Sequence, residues 1–188
     1  MSTIEDQLTG LHNRRSFLAL LRRHVGFANE RKTNLALLVV DIDGFARLNA
    51  AHGYDFGDHA LQHVARQLRE VTRAQDYAAR IGDNRFALIL PGVMNVGHAE
   101  LAVQKLFRLL EVPFDDGKAR VRMTATVGVA VCPMHASQAE FLFRQAEKSL
   151  ELARSTGQRW LFPPESEEDR RFSEFWDLEI ELDGAVQR

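Results

Sequence analysis

Two carboxylates stand at the end of an aliphatic run in Val39-Val40-Asp41-Ile42-Asp43-Gly44-Phe45. Acids delivered by the end of a buried strand can hold a divalent cation, and a cation held there can carry a phosphate. A second stretch, from Tyr77 to Leu90, consists of two short apolar runs separated by Gly82-Asp83-Asn84-Arg85. Glycine, aspartate and asparagine enter positive φ at least cost, so this stretch reads as a β-hairpin whose turn could sit beside the carboxylates. His59 and His63 have the four-residue spacing of metal ligands on a helix. No third ligand of suitable type lies near them in sequence, and a solvated helical face accounts for both.

The elements that would position these groups follow from periodicity. Asn13 is a plausible cap for a helix with Phe17, Leu18, Leu21 and Val25 inward, ending near Asn29. Asn34 to Val40 is nearly continuous aliphatic, as in a central strand buried on both faces. Asn49 to Asp58 reads as a loop rich in Gly, Asn and Asp, with Asp58 capping a helix that turns Leu61, Val64, Ala65, Leu68 and Val71 inward. After the hairpin, the pattern gives a helix from Val96 to Glu111, a turn at Asp115-Asp116-Gly117 and an alternating strand from Val121 to Val131. The last helix spans Ser137 to Ser155, with Phe141, Leu142, Ala146, Leu150 and Ala153 inward, before an edge strand at Trp160-Leu161-Phe162. Strands alternate with helices, yet the hairpins force antiparallel pairing. The fold class expected is therefore a mixed sheet with helices on its faces.

Composition narrows the function. The 188 residues are 45% hydrophobic, enough for one well-buried domain plus an appendage, and the formal charge of −2 is spread without a basic footprint, so no nucleic-acid partner is expected. One cysteine, Cys132, builds no disulfide frame and fits a cytoplasmic setting. No apolar run reaches the roughly 20 residues of a membrane span. At Pro163-Pro164 the composition changes: residues 165–188 carry nine acidic residues against three arginines, with Phe172, Phe175, Trp176, Leu182 and Val186 at roughly helical spacing. The domain is thus expected over 1–162, and an acidic amphipathic helical linker over 163–188.

The motifs carry a resemblance. Asp6-x-Leu8-Thr9-Gly10-Leu11-x-Asn13-Arg14-Arg15-x-Phe17 is followed by Asp41-x-Asp43-x-Phe45-x-x-x-Asn49-x-x-x-Gly53-x-x-x-Gly57-Asp58-x-x-Leu61, and then by Arg80-x-Gly82-x-x-x-Phe86. This series resembles the GGDEF domain of diguanylate cyclases, from Asp6 to about Arg159. The resemblance implies a nucleotidyl-cyclase-like α+β fold, a five-stranded antiparallel-rich sheet surrounded by helices. It also implies that active members condense two GTP into cyclic diguanylate across a dimer interface, using divalent metal such as Mg²⁺.

Measured against that chemistry, the signature turn departs from the family. Asp41 occupies the metal-ligand position, but the turn reads Gly82-Asp83-Asn84-Arg85-Phe86 where the family has two glycines, two acids and phenylalanine. Asp83 brings a negative side chain where a phosphate should pass, Asn84 replaces one carboxylate with an amide, and Arg85 replaces the other with a cation. One such change at an electrostatic catalytic position costs on the order of 10²–10³ in rate, so three together are expected to abolish turnover. Ala46 and Gln158 also replace basic residues, and Tyr54 a histidine, whereas Arg154 can stand in for a phosphate-binding lysine.

Recognition is separable from reaction. Asn49 and Asp58 match the positions that read the guanine edge in the family, and Arg85 is expected near the phosphates, where an arginine is an acceptable partner. Arg73-x-x-Asp76 matches the family's inhibitory site for cyclic diguanylate, a guanidinium fork followed by an acceptor carboxylate. The helix over 172–188 is similar to the segment leading into an EAL phosphodiesterase domain. The expectation is an inactive regulatory module that binds GTP or cyclic diguanylate with weakened metal dependence, can form a homodimer and serves a C-terminal EAL-type partner; the alternatives are an active or residually active diguanylate cyclase and a ligand-free dimerisation scaffold.

Overall fold

The chain is seen in a computed structural model that describes residues 4–164. Asn13 accepts a hydrogen bond from the Ser16 N–H at 2.8 Å and starts helix α1 (Arg14–Arg31), as its cap chemistry anticipates. α1 buries Phe17, Leu21, Val25 and Ala28 and runs two residues past Asn29, ending where Lys32 turns left-handed. Strand β1 (Asn34–Ile42) is buried at every position after Asn34. Alternate residues explain why: Ala36, Leu38, Val40 and Ile42 belong to one core, and Leu35, Leu37 and Val39 to the other. A strand covered on both faces has no reason to alternate with polar residues.

The expected loop over 49–58 is two helices. Gly44 (φ 65°) opens α2 (Phe45–His52), and Gly53 (φ 89°) joins it to α3 (Tyr54–Val71). The glycines supply the left-handed joints, and the residues between them have enough partners, Phe45 and Leu48 against the core, to wind. Asp58 therefore lies inside the first turns of α3 and caps nothing.

The hairpin forms as expected from β2 (Tyr77–Arg80) and β3 (Arg85–Val93), and α4 (Val96–Leu110) follows behind an Asn95 cap. The turn at Asp115-Asp116-Gly117 joins β4 (Phe114–Asp115) to β5 (Arg120–Val121), a small sheet of its own, separate from β6 (Ala125–Cys132). Helix α5 (Ala139–Ser155) and β7 (Trp160–Leu161) complete the order. α5 buries Leu142, Phe143, Ala146, Ser149, Leu150 and Ala153, so Phe141, expected inward, is half exposed beneath the Arg144 guanidinium.

The five-stranded sheet has the order β2-β3-β1-β6-β7, antiparallel except for β6 with β7. α3 and α4 cover one face, α1 and α5 the other. α5 approaches so closely that a Cβ on Gly128 of β6 would stand 2.0 Å from the Ala146 carbonyl oxygen. Outside β2 lies the N-terminal arm, where His12 bridges to Ala79 and Glu5 to His12. Cys132 is buried, and burial pushes its thiol up to about 11, so it stays protonated at neutral pH. Among the described residues no helix is long and apolar enough to cross a membrane. The amphipathic helix expected over 163–188 falls outside the described residues from 165 onward.

Candidate functional site

Register builds the first corner of the site. In the antiparallel pairing of β1 with β3, Asp41 lies directly opposite Arg85, a cross-strand placement that favours opposite charges. Asp41 is 6% exposed. Its Oδ1 accepts from Asn84 Nδ2 at 2.8 Å, while the same amide also donates to the Ile42 carbonyl at 2.9 Å. Its Oδ2 accepts from Arg85 Nη2 at 3.0 Å and meets Arg154 Nη2 at 2.8 Å. The hydrogen bond to Asp41 holds the Arg154 pKa above its ordinary value, against the effect of burial. Farther out, Arg85 reaches Glu147 at 3.7 Å and Glu151 at 3.6 Å, and Arg154 reaches Glu151 at 3.8 Å. Asp43 accepts from the hydroxyls of Thr124 and Thr126 at 2.9 and 2.8 Å.

Both oxygens of Asp41 are thus spent on an amide and two guanidiniums. A divalent cation needs carboxylate oxygens free to turn to it, and it would here confront two positive groups already in its place. The donor set does not fit Mg²⁺. Arg85, expected near the phosphates, is instead folded back onto Asp41. The reason is the register, which offers its guanidinium a buried carboxylate within reach. Asp83 is exposed at the tip, with its carbonyl accepting from Arg80 Nη2 at 2.8 Å. Gly82 is likewise exposed and Phe86 fully buried, so the turn hangs from the core by its last residue.

The second corner is built by α2 and α3. The Asn49 side-chain oxygen is buried with no hydrogen-bond partner. A Cβ at Gly57 would stand 1.8 Å from it, so the glycine is what lets this amide lie against α3. Asp58, the next residue, is exposed. A buried acceptor without a donor costs about 1–3 kcal/mol, and an amide oxygen and a carboxylate are the kind of acceptors that adjacent N–H groups of a ligand would need.

Arg73 and Asp76 do meet, but on each other. Asp76, its side chain 1% exposed, accepts from the Arg73 N–H at 2.7 Å and from the guanidinium Nε and Nη2 at 3.2 Å each. Arg73 also donates to the Pro91 carbonyl at 3.1 Å and stays nearly half exposed. Its outer side faces a cavity of about 250 Å³ that α4 completes with His98, Leu101 and Lys105. His63, expected on a solvated face, packs its ring 5.2 Å from Phe114, while His59 remains exposed. Two residues outside the sequence-derived set join the first corner, Glu147 and Glu151. Their i, i+4 spacing with Arg154 at i+7, one face of α5, is the signal that could have found them.

With this geometry in view, the chain matches the family model described as "Diguanylate cyclase, GGDEF domain" over residues 3–159. The chain belongs to the GGDEF family. This GGDEF domain is 30% identical over 185 residues to the bifunctional diguanylate cyclase/cyclic di-GMP phosphodiesterase MucR of Pseudomonas aeruginosa, an alignment covering 98% of this chain and 27% of MucR. The crystallised GGDEF domain of TpbB from Pseudomonas aeruginosa is 29% identical with a TM-score of 0.80, over 84% of this chain and 99% of that one. The GGDEF domain of DgcB from Caulobacter crescentus, crystallised with c-di-GMP, is 25% identical with a TM-score of 0.79, over 88% and 96%. The chain spans between about a fifth and a third of the length of the curated relatives it matches.

Proposed function

We propose that this domain is a catalytically inactive regulatory module of cyclic diguanylate signalling, which binds a guanine nucleotide and biases a neighbouring domain. The observation that carries the reading is the saturation of Asp41 by Asn84, Arg85 and Arg154. Attack of a 3′-hydroxyl on an α-phosphate requires a cation to activate the nucleophile and neutralise the leaving pyrophosphate. Guanidiniums supply positive charge, but they are tied to Asp41 and cannot lower the pKa of a bound hydroxyl as a metal does. The guanine corner keeps the unmatched Asn49 oxygen and the exposed Asp58 carboxylate, so base recognition survives where reaction does not. Cyclic diguanylate is a second ligand of the module, taken at Arg73, with buried Asp76 holding the guanidinium in place. DgcB, whose GGDEF domain was crystallised with c-di-GMP, supports that part. The alignment with MucR runs through residues 165–188, which favours a 163–188 segment that connects 1–162 to a further domain of the EAL type.

Calorimetry with GTP and ATP, with and without a chelator, tests the reading. GTP is expected to bind more tightly than ATP, with little change on chelation, and chromatography is expected to find no cyclic diguanylate after incubation with GTP and Mg²⁺. Product above a no-enzyme control that disappears in Asp41→Ala would overturn the inactive assignment. Equal affinity for GTP and ATP would remove guanine recognition.

A further inference from the structure

Three carboxylates share two guanidiniums around the signature turn: Asp41, Glu147 and Glu151 against Arg85 and Arg154. The five bonds are not equivalent. Asp41 is buried and within 3.0 Å of both cations, whereas the two glutamates stand 3.6 to 3.8 Å away and are 37% and 62% exposed. At those distances they are ion pairs rather than hydrogen bonds. Arg85 is therefore held firmly on its Asp41 side and loosely on the side that faces α5. A polyanion arriving at the turn would address that loose side first, since guanidinium planes suit phosphate oxygens, and it would have to displace the glutamates to do so.

From this asymmetry we infer that Glu147 and Glu151 are specificity-determining residues that hold nucleotide phosphates off Arg85. The inference rests on the guanine-nucleotide reading above and adds what that reading leaves open, the dependence of binding on phosphate number. A site whose cations are already shared among three carboxylates gains little from each added phosphate. Guanosine, GMP, GDP and GTP then bind with similar affinity, because the base corner does the selecting. Glu147 and Glu151 lie one helical turn apart, so they present two like charges on one face of α5, a fence rather than a single post. Neither side chain is buried and neither accepts a hydrogen bond the fold needs, so their amides can replace them without loss of structure.

The experiment compares the full chain with its Glu147→Gln/Glu151→Gln variant, titrated by calorimetry with guanosine, GMP, GDP and GTP in chelator, with adenosine and ATP as controls. In the variant, GTP is expected to bind about tenfold more tightly than in the parent, the combined effect of two exposed ion pairs. GDP should tighten less and guanosine not at all, and circular dichroism should show an unchanged fold. Identical affinities of parent and variant across the series would overturn the inference, as would a variant that tightens guanosine as much as GTP. Failure of both proteins to prefer guanosine over adenosine and GTP over ATP would instead sink the guanine reading, and the inference with it.

Discussion

Asp41 and Asn49 lie on either side of the same strand-to-helix connection, and their bonds are opposite in kind. Both oxygens of Asp41 are matched by donors from the protein itself. The Asn49 oxygen is as well enclosed, yet nothing donates to it. A matched polar group has no capacity left for a visitor, whereas an unmatched one carries a cost in the free protein that a ligand can remove. The contrast separates closed from open chemistry within one small site. His63 shows that the inference needs more than an unmatched atom: its Nε2 is also buried without a partner, but its ring rests on Phe114, and it stands at neither of the positions that match the family's guanine readers.

The contrast can be broken at the closed corner first. Replacing Asp41 with alanine leaves Arg85 and Arg154 facing each other without their shared counter-ion, and it should destabilise the domain by about 2 kcal/mol, less than a fully buried pair would because both arginines are partly solvated. Urea denaturation measures this; an unchanged midpoint would mean the corner is not closed by its ion pairs. At the open corner, Gly57→Ala puts a methyl where the Asn49 oxygen lies. GTP affinity should fall about tenfold, or about 1.4 kcal/mol, as read by calorimetry, while the melting temperature moves little. A variant that keeps wild-type affinity would show that the amide is not a recognition group.

The smallest effect sharpens the exception. Burial depresses the His63 pKa, with the Arg66 charge acting in the same direction and Glu70 opposing. A histidine whose folded pKa lies below its unfolded value of about 6.5 contributes stability that is complete above that value and lost as pH falls through the folded pKa. His63→Phe should keep the ring contact, gain about 1 kcal/mol at neutral pH, the low end for a relieved unsatisfied group, and flatten the decline in melting temperature between pH 7 and 5. His24, also depressed by burial, leaves a residual slope. A decline as steep as in the parent would place the acid sensitivity elsewhere.

Much of this was legible in the sequence. The two-sided burial of β1 follows from its aliphatic run, the hairpin from Gly82-Asp83-Asn84, and the start of α1 from Asn13. Asn49 and Asp58 were legible as residue types, though not the unmatched acceptor on Asn49, because the proximity of Gly57 to Asn49 depends on how α2 packs on α3. α2 itself was hidden, since Gly, Asn and His at 49–53 carry the composition of a loop while packing of Phe45 and Leu48 makes a helix. The fate of Arg85 was hidden for a different reason. Its partner is fixed by strand register, which a local pattern leaves undetermined, so a residue expected to face the phosphates turned out to face Asp41. Glu147 and Glu151 drew no expectation from the sequence, because Arg85 is brought to them only by the packing of α5 on the sheet.

The bridge from His12 to Ala79 bears on how such domains can associate. A sheet ending in a bare strand offers a row of unpaired N–H and C=O groups that another chain can extend. At β2 that row is occupied: His12 donates its N–H to the Ala78 carbonyl and accepts from the Arg80 N–H at 2.8 Å. At the opposite margin β7 is only two residues long, too short a template for a foreign strand to lengthen. Among the described residues the β2 margin therefore does not invite strand addition, whereas β7 covers only Val127 and Gly128 of β6; a copy meeting the domain at β2 would do so through side chains, which decide the partner and let the association be reversed.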